Sequence, residues 1–423
     1  MSIPGPRSAA LAKQLRAYES RNVTFLGEDF PVFWQSASGA TVTDVDGNRY
    51  VDLTAAFGVA NVGHSNPRVA NAIAEQAKHL MHGMGDVYPT AIRVRLFERL
   101  SEILPKELDT GFLATTGSEA VEAALKSAML ATGRSRFASY RGAYHGLSFG
   151  ALAVGGIERF REPFVAGLPS EPVLLPYPNE SAGISAQRAA GEARELLAAQ
   201  NDIAAVIIEP IQGRAGCIVP PSGYLAALRA LCDELRIVMI VDEIYTGFGR
   251  TGSWFAVECE RVVPDILCIG KAMGSGFPIS AAIGRSAVMD AWPPSAGEAL
   301  HTSTYLGNPL GCAAALATIG ELERLKLPAR AAQLGKQLGL RLAALRAHPV
   351  VTEIRGRGLF WGVQLRDAGA AAAVVRGSLA RGVIVLQSGV EGDVVTIAPP
   401  LVIDESQLAR AIDSLEVAIQ RTA

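Results

Sequence analysis

Two stretches of the chain end an apolar run on a residue able to do chemistry. In IVDEIYTGFGRTG, residues 240–252, the run Val238–Val241 leads directly into Asp242. In DILCIGKAMGSGFPIS, residues 265–280, a second run ends at Gly270 and Lys271 follows at once. Both runs read as buried strands, and ligands in open α/β sheets bind just outside the carboxyl ends of the strands. A carboxylate at such an end can bind a metal, act as a base or hold a cationic ring, or it can simply cap a helix. A lysine there can be desolvated, which lowers its pKa and makes its amine a nucleophile. A surface lysine after a strand is the plainer alternative. Gly274 and Gly276 do not form a phosphate loop, because the GxxxxGK[ST] order is absent.

Two further stretches supply different chemistry. FLATTGSEAVEAALKSA, residues 112–128, runs from a strand through Thr116-Gly117-Ser118 into a helix. Free N–H groups at a helix start bind phosphate, and glycine allows its close approach. The same residues also fit an ordinary capped helix. GAYHG, residues 142–146, sets Tyr144 among small residues, where its ring can stack on a flat ligand. His145 reads as a hydrogen-bonding residue. Together the four stretches offer an amine nucleophile, a phosphate cup, an aromatic plate and a carboxylate for a pyridinium, which is what a pyridoxal site asks of a protein.

These residues need a scaffold, and the pattern provides one. From about residue 110 the short apolar runs Phe112–Thr115, Phe137–Tyr140, Val173–Pro176, Ala205–Ile208, Val238–Val241, Ile266–Ile269 and Ser280–Ile283 alternate with helical stretches. That alternation predicts an α/β fold with a mostly parallel sheet covered on both faces. Before it come a short amphipathic helix over 8–20, a hairpin turning at Asp46-Gly47-Asn48, and helices over 67–82 and 90–104. After about residue 310, helices over 310–325, 329–347 and 405–420 surround short strands near 350–365, 383–386 and 394–398, a smaller α+β lobe. We expect residues 1–62 to join the small domain, 63–308 to form the large domain and 309–423 to complete the small one.

The chain has 423 residues, 49% of them hydrophobic and 19% charged, with a net charge of −2. Such a chain buries a large core and is not disordered. Without a basic excess nothing points to nucleic acid. No apolar run is long enough to span a membrane, and residues 1–20 lack a signal-peptide core. Five cysteines without a CxxC pair suggest reduced thiols and a cytoplasmic protein. The histidines are scattered and no HExxH occurs, so we expect no metal site.

The sequence resembles the class III aminotransferases, which include 4-aminobutyrate, ornithine and ω-amino acid enzymes. The resemblance spans about residues 25–420 and rests on GHSNP (63–67), TTGSEA (115–120), YHG (144–146), EPIQG (209–213), VDEIYTGFGRTG (241–252), IGKAMGSGFP (269–278), STYLGNPLGCAAA (303–315), IRGRGLFWGVQL (354–365) and IAPPLVI (397–403). It implies fold type I with a seven-stranded sheet, a homodimer or larger homo-oligomer, and pyridoxal 5′-phosphate as cofactor. Lys271 is then the lysine that carries the cofactor and serves as general base, and Asp242 pairs with the pyridine nitrogen. Gly117 and Ser118 hold the phosphate, Tyr144 stacks on the ring with His145 beside it, and Thr304 reaches the phosphate across the subunit interface. The implied reaction moves an amino group from an amine or amino acid to a keto acid. An aminomutase, racemase or decarboxylase on the same scaffold is the alternative, and a non-catalytic binding protein the remote one.

The substrate side departs from the family pattern. Thr396 stands where relatives acting on 4-aminobutyrate or ornithine carry a carboxylate-binding arginine, and Leu147 where many have an arginine after YHG. Arg214 follows EPIQG, where a glutamate that masks that arginine is usual. We therefore expect Arg214 to grip a substrate carboxylate from another wall, since a guanidinium fork suits a carboxylate. Glu209 and Phe57 are expected beside it, although Phe57 also fits plain core packing. Tyr245 occupies the position of a glutamine that bonds the ring hydroxyl.

Overall fold

The structure is a computed structural model that describes residues 3–27 and 30–422. The outermost ends of the expected N- and C-terminal segments, residues 1–2 and 423, and residues 28–29 lie outside the described residues.

All seven apolar runs enter one sheet. Across it the strands run in the order Thr110–Ala114, Ser280–Gly284, Ile266–Ile269, Val238–Asp242, Ile203–Ile208, Arg136–Tyr140, Val173–Leu175. Only Ser280–Gly284 runs against its neighbours, and the other pairings are parallel. The central strands Ile203–Ile208 and Ile266–Ile269 are apolar throughout because both faces are covered. Val206, Ile208, Met239, Val241, Leu267 and Ile269 belong to one core. Alternate residues Ala205, Ile207, Val238, Ile240, Ile266 and Cys268 belong to the other, with the helix Gly117–Thr132.

The smaller lobe holds two four-stranded sheets. In the first, the expected hairpin forms from Thr41–Asp44 and Arg49–Asp52, and Val383–Ile384 pairs with it in parallel. The N-terminal hairpin thus shares a sheet with a C-terminal strand. The second contains Val351–Arg357, Phe360–Leu365, Val394–Ile397 and Leu386–Ser388. The expected strand near 350–365 is split at Gly358, whose φ of +58° turns the chain. A side chain there would meet the backbone of Thr251 at 2.4 Å. The helix expected over 8–20 runs Pro6–Tyr18 instead, because proline suits a first turn. Among the described residues no helix is long and apolar enough to cross a membrane.

Arg250 ties the parts together. It is fully buried, and its Nη1 donates to the carbonyls of Leu359 (3.0 Å) and Pro399 (2.6 Å). Its Nη2 donates to Asn61 Oδ1, and Asn61 Nδ2 donates to the Phe248 carbonyl at 2.8 Å. Burial pushes its pKa down to about 10. Orphaned buried acceptors cost about 1–3 kcal/mol each. Arg250→Met is expected to lower stability by about 3 kcal/mol, read as a fall in the urea midpoint at unchanged slope. A loss of under about 1 kcal/mol would show that this junction is held by apolar packing alone.

Candidate active site

The site lies at the carboxyl ends of the central strands. Val238–Asp242 and Ile266–Ile269 are neighbours, with Asp242 level with Cys268. Lys271 opens a short 3-10 turn just beyond the second strand, at a φ of +42°. A non-glycine residue there is strained, a condition that clusters at functional sites.

Phe57, Gly117, Ser118, Tyr144, His145, Glu209, Arg214, Asp242, Tyr245 and Lys271 line one cavity of about 440 Å³. Gly146, Phe160 and Ile244 complete its wall. Gly146 and Ile244 belong to the motifs YHG and VDEIYTGFGRTG. Phe160 carries no motif that could mark it. Thr304 is exposed and is not among the residues lining the cavity of its own chain.

The buried end of the cavity is charged. Asp242 is 5% exposed; its Oδ2 lies 2.7 Å from His145 Nδ1, and its Oδ1 accepts from the Ile244 amide at 3.0 Å. His145 Nε2 is buried without a hydrogen-bond partner among the described residues. Burial pushes the Lys271 amine below its ordinary pKa, while Asp242 and Glu209 pull it back up. Its Nζ sits 4.0 Å from the centre of the Tyr245 ring. Tyr245 packs on Phe360, with ring centres 4.5 Å apart. Its hydroxyl is buried and lacks a partner among the described residues.

Glu209 braces the loops around this centre. One carboxylate oxygen accepts from the Tyr144 amide and the other from the Gly213 amide, both at 3.0 Å. Burial pushes its carboxyl up to about 7, with Asp242 adding to the shift and His145 opposing it.

The start of the helix Gly117–Thr132 faces the same cavity. Thr116 and Glu119 form a capping box: Thr116 Oγ1 accepts from the Glu119 amide, and Glu119 accepts from the Thr115 and Thr116 amides. The helix itself cannot satisfy the amides of Gly117 and Ser118, which leaves them for an anion. The backbone is tight here. A Cβ on Gly117 would sit 2.8 Å from Ile244 Cδ1, and one on Gly146 only 1.9 Å from Ser118 Oγ. Orphaned polar atoms, free helix amides, a half-buried aromatic ring and a recessed amine all fit a flat, phosphorylated pyridine.

Phe57 is not core packing. It is 55% exposed, at the mouth of the cavity. It stands on one left-handed turn: Ala55, Ala56, Phe57 and Gly58 have φ values of +46°, +49°, +61° and +75°. The Gly58 amide donates to Thr54 O (3.0 Å) and the Val59 amide to Ala55 O (2.8 Å). Left-handed helix costs about 1–2 kcal/mol per non-glycine residue. Thr54 anchors the turn, accepting from the Ala56 amide and donating to buried Asp52. Tyr245 presses on Gly58, where a Cβ would meet its ring at 2.4 Å.

Thr396 is buried, and its hydroxyl lies 2.6 Å from Ser388 Oγ and 3.9 Å from Cys217 Sγ. Arg214 Nη1 donates to the Gln387 carbonyl at 3.1 Å, and its own carbonyl accepts from the Gly389 amide at 3.1 Å. Leu147 is 53% exposed and outside the cavity wall.

Known proteins share this whole architecture. The model of the family "Aminotransferase class-III" matches residues 26–419. Acetylornithine aminotransferase of Methanopyrus kandleri is 41% identical over 393 residues, covering 92% of this chain and 95% of its own. Putrescine aminotransferase of Pectobacterium atrosepticum is 38% identical, covering 93% and 83%. Among solved structures, an amine transaminase from an uncultivated Pseudomonas species in its PLP-bound form superposes with a TM-score of 0.89 at 31% identity, covering 96% of this chain and 99% of its own. The ornithine aminotransferase of Toxoplasma gondii does so with a TM-score of 0.85 at 30% identity, covering 97% and 94%. The chain belongs to the class III aminotransferase family, and it is a fold type I, pyridoxal-phosphate-dependent aminotransferase.

Proposed function

We propose that the cavity between Lys271 and Asp242 is the active site, acting on a primary amine carried by an aliphatic chain and on a keto acid acceptor. The reading rests on one observation: an amine of lowered pKa and a buried carboxylate face one cavity from the ends of neighbouring strands. Bound pyridoxal phosphate supplies the electron sink for a carbanion. Lys271 Nζ would hold the cofactor, then take a proton from the amine-bearing carbon of the substrate and pass it to the cofactor's C4′ carbon, not back to the substrate. Asp242, oriented by His145, keeps a proton on the ring nitrogen. The amides of Gly117 and Ser118 bind the phosphate, and Tyr144 covers one ring face. Tyr245, with its ring beneath the lysine amine and its buried hydroxyl without a partner among the described residues, would bond the ring hydroxyl of the cofactor. Phe57, Phe160 and Ile244 give the donor an apolar wall, which suits relatives named for acetylornithine and putrescine. Glu209 shapes that wall through the Tyr144 and Gly213 amides, and Arg214 offers a charge to a substrate carboxylate.

We further propose that the enzyme is a cytoplasmic homodimer with domains divided near residues 62 and 308. The pairing of Val383–Ile384 with the N-terminal hairpin supports that division. Five free thiols suit a reducing compartment. The exposed apolar side chains Met81, Met84, Val87, Tyr88 and Tyr305 support a covered face. Asn308 Nδ2 donates to the Met81 carbonyl, and His82 packs on Tyr305, the chain neighbour of Thr304.

Three outcomes are expected. Borohydride reduction of the cofactor-loaded enzyme attaches the cofactor to Lys271 in peptide mapping, and Lys271→Ala takes no label there; label on another lysine would overturn the assignment. Thr304→Ala weakens cofactor affinity about tenfold although the residue does not line its own chain's cavity, as losing a bond to a charged group implies. Unchanged affinity would remove Thr304 from the site. The third concerns Glu209, whose folded pKa of about 7 exceeds its ordinary 4.5. The folded state then binds the proton more tightly, so its contribution is full below about 4.5 and is lost as pH rises through about 7. Melting of cofactor-free wild type is expected to lose ground against Glu209→Gln across that window. Glu243, also near 7, keeps some slope in both proteins. Parallel curves would contradict the shift.

A further inference from the structure

Arg214 lines two cavities. One is the active-site cavity; the other, about 520 Å³, adjoins it and is lined by Arg159, Phe30, Val385 and Leu386 among others. Arg214 is half-buried, and burial pushes its pKa down, with the Arg159 guanidinium adding to the fall. No carboxylate among the described residues forms an ion pair with either arginine. The neutral Gln387 carbonyl takes one Arg214 donor, and Arg159 lies over the Phe160 ring at 5.0 Å. Phe160 also lines the active-site cavity, so both arginines stand where the two cavities adjoin. Arg376 and Glu391 stand on the same outer wall.

Two like charges beside a cavity, one of them half-buried, repel each other until an anion sits between them. The loop tie from Arg214 to residues 387 and 389 holds its guanidinium at this boundary. Arginine forks match carboxylates, and charge-assisted bonds of this kind are strong. We propose that Arg159 and Arg214 form a second anion site in the outer cavity, which binds a carboxylate remote from the reacting carbon while the amine or keto end lies at Lys271. Its apolar walls, Phe30, Val385 and Leu386, take the intervening methylenes. The proposal rests on the active-site reading above and adds Arg159, which has no part in the chemistry at Lys271, as the residue that selects substrates by a distant charge.

The test is calorimetric binding of unreactive acids to the cofactor-loaded enzyme. Monocarboxylates from butyrate to octanoate are compared with the neutral primary amides of equal length. Wild type is expected to prefer the acid at least about tenfold from a certain length onward. Arg159→Gln is expected to lose most of that preference, while its amide affinities move less than about twofold. Arg159→Lys is expected to recover part of it. Because Arg159 is exposed, the variants should fold, and an unchanged visible cofactor band checks this. Equal binding of acids and amides at every length, or a preference untouched in Arg159→Gln, would overturn the site. Failure of every amine to bleach the cofactor band would instead sink the active-site reading, whatever the acids do.

Discussion

The site depends on one constraint: an amine and a carboxylate must face each other across a space that water cannot fill freely. Two parallel strands meet it. Asp242 ends one, and Lys271 follows the other, with Asp242 level with Cys268 in the register. Burial works against a charge on the lysine, while Asp242 and Glu209 favour one, and the net effect lowers its pKa. The amine is thus held closer to its nucleophilic form than a surface lysine would be. Much of the surrounding backbone is bent to keep this arrangement. Lys271 and the whole turn Ala55–Gly58 lie at positive φ. Strain of this kind costs on the order of 1–3 kcal/mol per residue and persists only where packing enforces it. Here Tyr245 is the common strut, touching Gly58, Gly213, Phe360 and the lysine amine.

The fold and the heart of the site were legible because their signals are local. Seven apolar runs of strand length, each followed by helical pattern, suffice to imply a sheet covered on both faces. The residues at two of those strand ends could be named at once. Their order across the sheet could not, since the antiparallel insertion of Ser280–Gly284 between Thr110–Ala114 and Ile266–Ile269 leaves no mark on composition. The left-handed turn at Ala55–Gly58 was equally hidden. Nothing in Ala-Ala-Phe favours positive φ, and the turn is imposed by Thr54, Asp52 and Tyr245 from outside. Phe160 and Arg159 were missed for the same reason: they reach the active-site cavity and the outer cavity, respectively, from a short helix that carries no motif.

Thr396 and Arg214 are both tied to one segment, residues 387–389. With threonine at 396, the position is sealed by a bond to Ser388 and contact with Cys217 instead of opening onto the cavity. The positive charge lies on the opposite loop, at Arg214, whose anchors are the backbone of residues 387 and 389. Arg214 thus places a positive charge on the wall of the cavity that Lys271 and Asp242 line. Identity of 41% to one relative named for acetylornithine and 38% to another named for putrescine therefore fixes the chemistry of the family more firmly than the identity of the donor.

The most direct measurement is the protonation state of the cofactor ring nitrogen, read by NMR on enzyme loaded with ¹⁵N-labelled pyridoxal phosphate. With Asp242 buried, held by His145 and facing the cavity, the expected nitrogen is protonated in the wild type and unprotonated in Asp242→Asn. An unprotonated nitrogen in the wild type, or one equally protonated in the variant, would contradict the role given to Asp242.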